Sequence, residues 1–84
     1  MCTYRTDRLE VSGSGKGPGG WFPLSDVTVY LDHPAHYPAE HSLNLDFLNL
    51  GAGVPERVAV ELDPVSARRL AHAILATLQS AGEA

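Results

Sequence analysis

RVAVELDPVSARRLAHAILATLQ, residues 57–79, changes its apolar period part-way along, and that change decides the fold. Over residues 57–62, Val58, Val60 and Leu62 alternate with Ala59 and Glu61, the two-residue repeat of a strand with one dry face. Beyond Leu62 the repeat lengthens: Ala67, Leu70, Ala71, Ile74 and Leu78 recur at helical spacing, with Arg68, Arg69, His72 and Gln79 mostly elsewhere. Asp63 can cap this helix, Pro64 suits its first position, and Gly82 marks its stop.

Working back toward the N-terminus, SLNLDFL (residues 42–48) sets Leu43, Leu45 and Phe47 opposite Asn44 and Asp46. VTVYL (residues 27–31) sets Val27, Val29 and Leu31 opposite Thr28 and Tyr30. TYRTDRLEV (residues 3–11) alternates more loosely, with Leu9 and Val11 on one face. SGSGKGPGGWFPLS, residues 12–25, is so rich in Gly and Pro that it reads as a loop. These elements define an α+β fold in which a four-stranded antiparallel sheet carries one C-terminal helix on one face, as a single small domain over residues 1–84. Strands of alternating direction bring the start of strand one, the turn between strands two and three, and the helix N-terminus to one end.

Size and charge narrow the function classes. A chain of 84 residues buries only one thin core. Hydrophobic residues make up 44% of it and charged residues 19%, a globular balance rather than a disordered one. Its formal net charge is -4 and its six Lys and Arg are dispersed, so no basic stripe exists to neutralise phosphates and nucleic acid is not an expected partner. No apolar run is long enough for a membrane helix and MCTYRTDRLE has no export signature, which leads to an expectation of a cytoplasmic location and no membrane partner. One cysteine allows no internal disulfide.

The stretch richest in chemistry is DHPAHYPAEH, residues 32–41, with three of the four histidines. Pro34 and Pro38 keep it from becoming a helix, so it must curl between strands two and three. His33, His36 and His41, with Cys2 brought alongside by the antiparallel order, form a candidate set for a divalent transition metal: zinc, iron, nickel or copper. Glu40 and His36 are the candidate acid/base pair for metal-assisted or proton-transfer chemistry on a small-molecule ligand. The spacing H-x2-H-x4-H matches no strong metal signature, and a solvated polar loop is the competing reading.

A second class of function uses surface rather than chemistry. The sheet's other face carries Tyr4, Thr28, Tyr30, Asn44, Asp46, Leu48 and Glu61, neither wet nor dry throughout, and Trp21-Phe22 must fold over the core or meet a partner. A homodimer would add the core area that so small a chain lacks, giving a non-catalytic binding or interaction module. GSGKGPGG is not a P-loop, because Lys16 is followed by Gly17 and Glu10 stands where the first glycine belongs.

The MCTY start, the segment ending in GGWFPL and the HPxHxPxEH stretch together resemble a family of short actinobacterial proteins of unknown function. The resemblance runs over nearly all of the chain and places Cys2, Lys16, Trp21, His33, His36, Glu40 and His41 inside the matching segments. It implies a cytosolic bacterial protein and brings no reaction. His36-x3-Glu40 also echoes the cupin spacing, but H-x2-H replaces the cupin H-x-H and the second cupin motif is missing.

Overall fold

Four strands and a helix follow one another in the computed structural model: β1 (Thr6–Gly17), β2 (Gly20–Asp32), β3 (Ser42–Asn49), β4 (Glu56–Leu62) and α1 (Pro64–Ser80). The structure describes residues 5–33, 38, 40–51 and 56–83. The strands form one sheet in the order β1-β2-β3-β4, each neighbour pair antiparallel.

Register shows why this arrangement is specified. Val27, Phe47 and Val58 pair across β2, β3 and β4, as do Val29, Leu45 and Val60, and then Leu31, Leu43 and Leu62. Three cross-strand apolar rows therefore line one face, and a slip of one residue in any strand would turn its whole set to the other face. Leu9 extends the first row onto β1 through its pairing with Val27.

The glycine-rich segment is a correction to the sequence reading. Residues 12–25 do not form a loop; β1 runs on to Gly17 and β2 already begins at Gly20, with a turn at Pro18–Gly19. Gly20 has φ +106°, a conformation that side chains rarely adopt. The register shifts between Glu10 and Gly13, where β1 carries one residue more than β2. This bulge puts Gly13, Gly15 and Gly17 opposite Leu24, Phe22 and Gly20. The bare glycine backbone then makes room for an aromatic ring: a methyl built on Gly17 would sit 3.4 Å from Phe22, and one on Gly15 3.7 Å from it. Phe22 is 4% exposed while its neighbour Trp21, pointing the other way, is 70% exposed.

Polar ties hold this hairpin extension to the end of β3. Asn49 Nδ2 donates to the Pro23 carbonyl at 2.7 Å, the Leu50 amide donates to Ser25 Oγ at 2.9 Å, and Ser25 Oγ donates to the Leu48 carbonyl at 3.3 Å. At the other end, Ser42 is fully buried, with its Oγ 2.6 Å from Asn44 Oδ1. Thr28 Oγ1 is the one buried side-chain polar atom among the described residues without a hydrogen-bond partner.

The helix starts and stops where its sequence signals stand. Asp63 is the N-cap, its carboxylate accepting from the Ser66 amide at 2.6 Å, and Pro64 follows inside the first turn. Gly82, at φ +80°, donates to the Gln79 carbonyl at 3.0 Å, and Glu83 donates to that of Leu78 at 2.8 Å, so late carbonyls are satisfied past the helix end. What α1 does not do is bury itself. No residue of it is buried, and Val65, Leu70, Ile74, Leu75 and Leu78 are all exposed.

Candidate functional site

Because α1 stands off the sheet, an apolar cleft of about 620 Å³ lies between them. The sheet supplies Val29, Leu31, Leu43, Leu45 and Leu62 as its floor, drawn from the second and third of the three apolar rows. The helix supplies Ala67, Leu70, Ala71 and Ile74 as its roof, with Pro64 at the end where α1 begins. Among the described residues, His41 and Arg68 are its titratable lining groups. Volume and lining fall within the usual range for a site that binds an apolar or amphipathic body. Ala67 and Ala71 explain the gap in part, since two methyl side chains one turn apart fill little of the space between a helix and a sheet.

The histidine stretch opens beside the same end of the cleft. Asp32 pairs with Ser42 as the last rung of β2 and β3, Leu43 pairs with Leu62, and Asp63 follows directly, so the β2–β3 connection and the start of α1 are neighbours. Thr6 pairs with Tyr30, which brings the start of β1 there as well. The expected clustering of these three features at one end is what the strand order produces.

His33 and His41 face each other across the base of the connection, with ring centroids 5.3 Å apart and planes at 27°. The His33 amide donates to Asp32 Oδ1 at 2.7 Å, and His33 Nδ1 lies 3.0 Å from the Glu40 carbonyl oxygen. If Nδ1 carries the proton toward that carbonyl, Nε2 is the nitrogen with a free lone pair. Glu40 thus meets His33 through its backbone. Stacked rings do not aim two nitrogens at one point, so sharing an ion would require one imidazole to turn. Cys2, Tyr4 and His36 lie outside the described residues, and among the described residues no group of three or more His, Cys, Asp or Glu stands together as a metal-ligand set.

The aromatic surface divides. Trp21 is exposed at the hairpin, whereas Phe22 belongs to the core. Tyr30 is tied down by its hydroxyl donating to Asp46 Oδ2 at 3.2 Å. The cleft itself was not legible as a cleft: its residues read from the sequence as a closed core. A usable signal was the breadth of the helix stripe, since Leu70 through Leu75 span roughly 140° of α1, wider than one sheet contact needs.

Fold and surface together define the class as a small antiparallel α+β domain with an open apolar cleft beneath its helix. The chain belongs to a family of unknown function, DUF6295, whose model matches residues 1–84. No curated protein and no solved structure matches it. Among the described residues no helix is long and apolar enough to cross a membrane.

Proposed function

We propose that this protein is a binding module of the cytosol whose working surface is the cleft between α1 and the apolar sheet face. The observation that carries the reading is an aliphatic-lined space of about 620 Å³ in a chain where, among the described residues, only Phe22 and Val27 are buried apolar side chains. A domain this small does not leave its best apolar surface open in water without an occupant. Hydroxyl-radical footprinting tests it directly. Leu70 and Ile74, which line the cleft, are 42% and 52% exposed in the single chain, and an occupied cleft should protect them well beyond that. Reaction at the rate of freely exposed leucines would end the proposal.

A second reading, a divalent transition metal held by the histidine connection for acid/base or metal-assisted chemistry, is favoured by one observation. His33 and His41 are already adjacent, and the Glu40 carbonyl orients the His33 ring. His36, Cys2 or Glu40 would complete the set, with zinc, iron, nickel or copper as the ion. Elemental analysis of tag-free protein beside a His33→Ala, His36→Ala variant tests it. Near-stoichiometric metal lost in the variant supports the site, and wild type that neither carries nor takes up metal removes it.

A further inference from the structure

We infer that the occupant of the cleft is a second copy of this chain, docked about a two-fold axis so that α1 of each copy covers the cleft of the other. The inference rests on the cleft being the working surface and goes on to name what fills it.

Surface area is the first argument. A folded monomer of 9.0 kDa exposes about 4,900 Å² by the usual scaling, whereas this chain exposes 6371 Å². The excess is roughly 1,500 Å² per chain, summed over the whole surface, an upper bound on what pairing could hide and ample for a stable interface. Dimension agrees: the Cα radius of gyration is 14.2 Å, against about 12 Å for a monomer of 84 residues.

The exposed side chains are of the right kind and in the right place. Leu70, Ile74 and Leu78 lie along one stripe of α1 with Leu75 at its border, and Leu9 prolongs the apolar sheet face onto an edge strand. A helix stripe and an apolar sheet face on one molecule are complementary to the same two features on another copy, which is what an isologous interface requires. The need is also constant: a chain with so few buried apolar side chains among its described residues requires cover in every molecule, and an identical chain is present wherever the first one is.

Sedimentation equilibrium on wild type, Ile74→Glu and Trp21→Glu tests the inference. A dimeric wild type, an Ile74→Glu protein whose dissociation constant is weakened at least about 100-fold, and a Trp21→Glu protein unchanged would support it. A wild type that dimerises equally well as Ile74→Glu would overturn it, since the pair would then meet elsewhere. If Ile74→Glu fails to fold by circular dichroism, Leu70→Gln replaces it. If that fails as well, the wild-type unfolding midpoint decides, because a midpoint rising with protomer concentration supports a dimer and a constant one overturns it. A monomeric wild type whose Leu70 and Ile74 are nonetheless protected from radicals would remove the second copy and leave the binding module standing, with a small ligand as occupant. The same two side chains unprotected on a monomer would remove both.

Discussion

Replacing Phe22 with Ala, beside Trp21→Ala as its control, is the sharpest test of the hairpin that the glycine segment forms. The two residues are adjacent on β2 and aromatic, and alternation alone sends one into the core and the other into water. Phe22 is 4% exposed over the bare backbone of Gly15 and Gly17, glycines with no side chain to fill the space its ring leaves, so the cost should fall in the range for a buried phenylalanine, about 3–5 kcal/mol. Against a total stability of about 4–13 kcal/mol for a chain of this length, that loss is severe. Trp21 at 70% exposure should cost no more than about 0.5 kcal/mol. Urea unfolding followed by circular dichroism, at one fixed protomer concentration, measures both. In thermal melts Phe22→Ala should lose at least about 12 °C. Equal losses, or a larger loss for Trp21→Ala, would mean that the hairpin is paired one residue out of the register described and that the bulge between Glu10 and Gly13 is misplaced.

Other substitutions probe single contacts. Asp63→Ala removes the side-chain acceptor from the Ser66 amide and should destabilise by about 1 kcal/mol in urea, with Asp63→Asn losing much less. Thr28→Val exchanges a buried hydroxyl without a partner for a methyl and should raise stability by about 1 kcal/mol, whereas a loss of that size would reveal a partner for the hydroxyl in solution. Gly20→Ala, at φ +106°, should cost about 1–2 kcal/mol in the same assay. Gly13→Ala, where an added methyl meets nothing within 4 Å, should be neutral or stabilise by up to about 1 kcal/mol.

The three apolar rows and the helix were legible in the sequence because their signals are side chains: alternating Val and Leu, a capping Asp before Pro, a terminal Gly. The β1–β2 hairpin was not, because three of the five β1 residues that pair beyond the bulge are glycines, which carry no side chain to show alternation. Gly13, Gly15 and Gly17 do repeat every two residues, but the repeat acquires meaning only through Phe22 on the partner strand. Composition favoured a loop, and cross-strand packing overrode it. Of the histidine site, the approach of His33 and His41 followed from antiparallel strands alone, while the ring stack and the Glu40 carbonyl contact depend on how the connection curls. The cleft was hidden for a different reason: an amphipathic stripe says which face of a helix seeks cover and not how near its own sheet comes to providing it.

The pairing of Thr6 with Tyr30 fixes the end of the sheet at which β1 begins. The start of β1 lies at the same end of the sheet as His33, His41 and Pro64, so a run of histidines attached ahead of it would bring ligands of its own to that end. The 17 residues of α1 carry the opposite attachment point about 25 Å away from that end. An affinity handle following Glu83 therefore lies away from both the histidine connection and the start of α1.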